Sequence, residues 1–137
     1  MGKLLGIDFG GKRTGIAETD ELKIIASPLK TVATETLLDF LIDYLKNNQV
    51  DAVIVGKALR WSGEENPIET KIKDFLKELK EAVPNVIIHR QDESDTSKQA
   101  VQTMIMGGMK KSDRRKKENV DLISAVIILQ NYMEENL

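Results

Sequence analysis

The chain has 137 residues, of which 41% are hydrophobic and 31% charged, enough for one hydrophobic core and too apolar for a disordered chain. It contains no cysteine, which excludes disulfides and thiolate metal sites, and its single histidine, His89, excludes any site that needs two imidazoles from this chain. The net charge of −2 is unevenly spread: residues 107–118 hold six basic and two acidic side chains, so a basic segment interrupts an otherwise acidic protein.

Such a segment suits a polyanion-binding element, with a solvated loop as the plain alternative. No apolar run approaches the roughly 18 residues of a membrane span, and the N-terminus has no signal-peptide pattern. A single domain over residues 1–137, in the cytoplasm and away from membranes, is the expectation.

Residues 3–10 and 13–18 flank Gly10-Gly11-Lys12 and read as a hairpin. Residues 23–32 make a third strand, with Pro28 demoting its middle to an edge or a bulge. Leu37, Leu38, Leu41, Ile42 and Leu45 share one helical face, with Thr34 as the expected cap. The almost continuous apolar run from Val50 to Gly56 predicts a parallel strand covered on both faces. A loop, K-A-L-R-W-S-G, follows it. A second helix is predicted from about Pro67, presenting Ile68, Ile72, Phe75, Leu76 and Leu79. Residues 86–89 predict another buried strand, running into Arg90-Gln91-Asp92-Glu93. A helix should begin near Asp95 or Thr96 and end by Gly107-Gly108. The last helix is predicted over residues 120–135.

Three carboxylates stand in apolar places, where an unpaired charge is costly. Asp8 ends the first strand. Glu93 follows an apolar strand at its carboxyl end, where α/β folds place ligands. Asp121 opens the last predicted helix, with Ser124, Ala125 and Ile128 at i+3, i+4 and i+7. Asp92 should point to the opposite side of its strand from Glu93. Each has a structural alternative: Asp8 as acceptor of turn amides, Glu93 as a solvated strand end, Asp121 as complement to a helix dipole. Together they make a set of hard oxygen ligands suited to Mg²⁺ or Mn²⁺. Beside a basic loop, such a set fits two-ion phosphodiester hydrolysis, with ions ~4 Å apart once substrate is bound.

The element order, β-β-β-α-β-α-β-α-α, resembles a ribonuclease H-like α/β fold: a three-strand antiparallel meander continued by parallel strands, five in all, flanked by helices. Four stretches carry a closer resemblance. D-F-G-G-K-R-T-G-I-A (8–17), V-G-K-A-L-R-W-S-G (55–63), D-E-S-D-T-S (92–97) and V-D-L-I-S-A-V-I-I-L-Q-N-Y (120–132) resemble the successive motifs of the YqgF family of Holliday-junction-resolvase-like and pre-16S rRNA nuclease proteins. The resemblance implies a divalent-metal nuclease that matures the 5′ end of small-subunit ribosomal RNA, with Asp8, Glu93 and Asp121 matching the family's acidic residues. Ser94 stands where the family motif D-E-R has arginine. Ala58 and Arg60 replace its Pro and Asn, and Glu118 its glycine near the last motif.

Lys12, Arg13, Arg60, Lys110, Lys111, Arg114, Arg115, Lys116 and Lys117 are the candidate nucleic-acid contacts, each also readable as an ordinary surface charge. Trp61 can stack on a base or cover the core edge. His89 is expected to pack without chemistry, and Met104, Met106 and Met109 to fill core or loop. RNA is the favoured partner of a monomer or weak homodimer. A DNA-junction resolvase, a non-catalytic RNA-binding assembly factor and a nucleotide-binding relative of the actin and sugar-kinase fold are the competing readings.

Overall fold

In the computed structural model, which describes residues 2–57, 67–92 and 117–137, the amino-terminal hairpin occupies the middle of a mixed sheet. Strand β1 (Lys3–Asp8) pairs antiparallel with β2 (Arg13–Thr19), and β2 with β3 (Ala26–Ala33). Strand β4 (Val50–Lys57) runs parallel to β1, and β5 (Ile88–Asp92) parallel to β4. The order across the sheet is β3-β2-β1-β4-β5. Helices α1 (Leu37–Asn47), α2 (Ile68–Ala82) and α3 (Lys117–Asn136) complete the described elements.

Strand alternation divides the core in two. Leu5, Ile7, Ile16, Val53 and Val55 pack with Leu37 and Leu41 of α1 and Ile72, Phe75 and Leu79 of α2. On the other face, Leu4, Ala17, Ala52 and Ile54 pack with Ala125, Val126, Ile128 and Leu129 of α3. Burial on both sides explains the unbroken apolar run of β4. It also makes the central strands a rigid platform for whatever their ends carry.

Several boundaries differ from the sequence reading. The third strand starts at Ala26 rather than at 23, because the Asp20 carboxylate accepts the backbone N–H groups of Ile24 (2.7 Å) and Ile25 (2.9 Å) and curls the chain, with Lys23 at φ 58°. Pro28 lies on the edge strand beside a register shift, so both of its expected roles hold. Thr34 does not cap α1: it opens a 3₁₀ turn, Thr34–Thr36. Its hydroxyl donates to Gly10 O at 2.7 Å, its backbone N–H bonds Lys12 O at 2.9 Å, and Thr14 Oγ1 lies 2.8 Å from its Oγ1. The β1–β2 turn is thereby held from beneath.

Strand β5 begins at Ile88, two residues later than expected, and is an edge strand rather than a buried one, with Ile87 just before it 53% exposed. Its polar residues are tolerated because they find partners. Arg90 donates to Val55 O (3.2 Å), Gly56 O (2.8 Å) and Glu69 Oε1 (2.6 Å), and Glu69 is only 1% exposed. This pair ties the start of α2 to the carboxyl end of β4. Glu69→Ala would leave the guanidinium without its counter-ion and is expected to cost about 3 kcal/mol. Urea unfolding measures it, and a loss under roughly 1 kcal/mol would mean that water screens the pair.

Elsewhere the Tyr44 hydroxyl of α1 donates to Glu18 of β2, and burial together with that carboxylate raises the phenol's pKa. Asp51 is held below the usual carboxylate range, first by the hydrogen bond from Lys23 (2.7 Å) and then by the Gly2 backbone N–H. The Ile25 and Ile24 amides do the same for Asp20. Because both folded pKa values lie below the unfolded ones, these contributions are present at neutral pH. They fade as pH falls below about 4. Asp51→Asn should flatten the acid limb of a melting-temperature profile against pH, while an unchanged profile would count against the contact. Among the described residues no helix is long and apolar enough to cross a membrane.

Candidate active site

The sheet's alternation decides which side chains can meet. In β1, Leu5 and Ile7 face α1 and α2, whereas Leu4 and Gly6 face α3. Asp8, two residues beyond Gly6, therefore falls on the α3 side, half-buried at the end of the strand. In β2, Ala17 faces α3, and so do Gly15 and Arg13 at the same parity. Gly15 is the register partner of Asp8.

Gly15 is where α3 lands. A Cβ there would lie 2.1 Å from the backbone oxygen of Asp121 and 3.0 Å from Leu122 N, so only glycine allows the helix so close. The helix also presses on Gly6, where a Cβ would meet Leu129 Cγ at 2.5 Å and Ala125 O at 2.8 Å. Two side-chain-free positions on adjacent strands thus seat α3 directly on the sheet backbone. The Asp121 backbone rests against the residue opposite Asp8.

The helix begins at Lys117, earlier than expected, so Asp121 is its fifth residue and lies beyond the first turn. A helix-dipole role loses force there, since that effect falls off within the first turn. The Asp121 side chain is 16% exposed, and its Oδ2 lies 3.8 Å from Arg13 Nε. Ser124, Ala125 and Ile128 are fully buried, as their spacing from Asp121 predicts. The buried Nε of Arg13 and the buried Oγ of Ser124 have no hydrogen-bond partner among the described residues. Lys12 is exposed at the hairpin turn.

Asp92 ends β5 opposite Lys57. It shares the parity of Ile88, packed on the α1–α2 core, and of Arg90, bound to Glu69. It is thus turned from the Asp8 side; its expected opposition to Glu93 involves a residue outside the described ones. The other parity meets α3: the His89 ring stacks on Tyr132 at 5.6 Å, and Gln91 Nε2 donates to Glu135 Oε2 at 3.0 Å. His89 packs, with no chemistry assigned.

The arrangement brings Asp8, Asp121 and Arg13 to one sheet face. Glu93, Arg60, Lys110, Lys111, Arg114, Arg115 and Lys116 lie outside the described residues, as do Trp61, the predicted helix after residue 95 and the three methionines. Lys117 is described as the first residue of α3. Among the described residues no three His, Cys, Asp or Glu side chains form a group able to hold a metal. Sequence reasoning missed the Glu69–Arg90 pair. A signal was present: Glu69, Ile72, Leu76 and Leu79 fall at i, i+3, i+7 and i+10, which puts that carboxylate on the apolar face of α2.

Residues 2–135 match the model of a family described as "RuvX: Holliday junction resolvase". A protein of Christiangramia forsetii named "Putative pre-16S rRNA nuclease" is 50% identical over 135 residues, covering 98% of this chain and all of that one. Relatives of the same name from Flavobacterium psychrophilum and Porphyromonas gingivalis are 45% and 46% identical, covering 100% and 98% of this chain and 100% and 97% of their own. Among solved structures, Thermus thermophilus RuvC in complex with a Holliday junction substrate superposes with a TM-score of 0.62 at 18% identity, over 99% of this chain and 97% of that one. That likeness bears out the ribonuclease H-like fold, and the close relatives bear out the YqgF resemblance read from the four motifs. With nearly its whole length matched, this chain belongs to the RuvX family of Holliday-junction-resolvase-type nucleases.

Proposed function

We propose that this protein hydrolyses phosphodiester bonds of precursor 16S rRNA, acting in the cytoplasm as a single domain over residues 1–137. The relatives' shared name supports the substrate. The observation that carries the chemistry is the seating of α3 on Gly15, which sets Asp121 against the register partner of Asp8. Both are half-buried or deeper, offer hard oxygen donors and lie on a face with no cysteine, a fit for Mg²⁺ or Mn²⁺. Asp8 and Asp121, joined by Glu93, would hold the ions, two once substrate is bound. When bound there, the metal supplies an activated water and stabilises the leaving oxygen.

The protein's own cations do the rest. Arg13 and Lys12 at the hairpin, with Arg60 and the run Lys110, Lys111, Arg114, Arg115, Lys116 and Lys117, neutralise the phosphate backbone and hold the strand in register with the carboxylates. Ser94 removes one cation that the family carries in the third motif, and Arg60 supplies one where the family has asparagine.

Cleavage assays with purified protein on precursor 16S rRNA, single strands and four-way DNA junctions, in Mg²⁺ or Mn²⁺ and in chelator, test this. Metal-dependent cutting of the precursor near its 5′ end is expected. Cutting of junctions alone would transfer the function to recombination, and tight RNA binding without cutting would make the protein an assembly factor.

A further inference from the structure

The hairpin cation nearest the carboxylates is held in an unusual way. Arg13 projects from β2 on the α3 side, and its side chain is 35% exposed overall, yet its Nε is buried without a hydrogen-bond partner among the described residues. Among the described residues the nearest carboxylate oxygen, Asp121 Oδ2, stands at 3.8 Å. That is close enough for strong attraction in a partly buried place, but too long for a hydrogen bond. A guanidinium committed to a structural ion pair would engage its carboxylate at about 2.8 Å, as Arg90 Nη2 does with Glu69 Oε1 at 2.6 Å. Within one protein, then, one arginine–carboxylate pair is locked and another is loose. The loose pair borders the carboxylates.

The backbone beneath Arg13 is not loose. Thr34 bonds Lys12 O and Gly10 O, and β2 pairs on both sides, Asp8 with Gly15 and Ala33 with Arg13. Only the side chain is left able to move. Asp8 and Asp121 put two negative charges on one face, which favours a resident cation when no metal is bound.

We infer that Arg13 is the stand-in cation of the carboxylate centre. It neutralises Asp121 in the metal-free protein, is displaced when a divalent ion takes that carboxylate, and is then free to bind a backbone phosphate of the substrate. Arg13 thus couples metal binding to substrate capture. The inference rests on the metal reading of Asp8 and Asp121 given above.

Removing a competitor should tighten the metal. In calorimetric titration of the full chain with Mn²⁺ and no nucleic acid, Arg13→Ala is expected to lower the Kd roughly three- to tenfold. Arg13→Lys should stay near wild type, since it keeps the charge. Lys12→Ala removes an exposed charge from the neighbouring position and should change the Kd by less than about twofold. With Mn²⁺ saturating, Arg13→Ala should instead raise KM for a precursor RNA fragment. An unchanged or weaker Mn²⁺ affinity in both Arg13→Ala and Arg13→Gln would overturn the inference while leaving the metal site standing. So would equal tightening in Lys12→Ala, because the effect would then be general charge. A wild-type protein that takes up no Mn²⁺, or that binds it undiminished after Asp121→Asn, would overturn the metal reading and this inference with it.

Discussion

Replacing Asp8 with asparagine is expected to abolish metal-dependent cleavage, by roughly a thousandfold or more, equivalent to about 4 kcal/mol of lost transition-state stabilisation. Asparagine has the same shape, so the ends of β1 and β2 should keep their pairing, and unfolding should occur within about 1 kcal/mol of wild type. The reason for so large an effect lies in the position. Asp8 ends a central strand whose neighbours Leu5 and Ile7 are fully buried, so its carboxylate is held by a platform that cannot yield. Asp92, at the end of β5, belongs to the opposite face. The measurement is single-turnover cleavage with Mn²⁺ saturating, beside a denaturant melt of the same preparation. Full activity in folded Asp8→Asn would remove this residue from the chemistry.

The second large effect comes from a residue with no side chain. Gly15→Ala would place a methyl group 2.1 Å from the Asp121 carbonyl oxygen. Since the obstacle is backbone, no rotamer change relieves it, and α3 must lift from the sheet. Overpacking of this kind costs about 2–3 kcal/mol. Activity should fall further than stability, because lifting the helix carries Asp121 away from Asp8. Gly11→Ala is the control: nothing lies within 4 Å of its Cβ, so its stability should stay near wild type. Denaturant unfolding and cleavage, compared at a temperature where all variants are folded, separate the two losses. If Gly15→Ala cuts at the wild-type rate, close helix–sheet approach is not what sets the carboxylates.

These two residues mark how far the sequence could be read. Asp8 announced itself, because a carboxylate at the end of an apolar strand is costly in any fold. Gly15 did not. It lies within a predicted strand with nothing local to mark it, and its partner is more than a hundred positions away in the chain. Lys117 at the start of α3 was equally silent, since the charged stretch that opens the helix carries no apolar periodicity to detect. The third strand starts later than its apolar residues suggest: Ile24 and Ile25 look like strand residues. In the fold both are exposed, at 67% and 63%, on a loop that the Asp20 carboxylate closes.

By itself, then, the sequence determined the mixed α/β order, the two apolar faces of α1 and α2 and the doubly covered β4, and it singled out the acidic residues proposed for the site. All of these follow from local periodicity and the cost of burying charge. Tertiary structure alone decided which face Asp8 shares, that Asp121 sits beyond the first helical turn, and that Arg90 belongs to Glu69 while Arg13 stands loosely by Asp121. Those outcomes depend on strand register and on where one helix can touch a sheet. Contacts between distant residues leave no period in the chain that makes them.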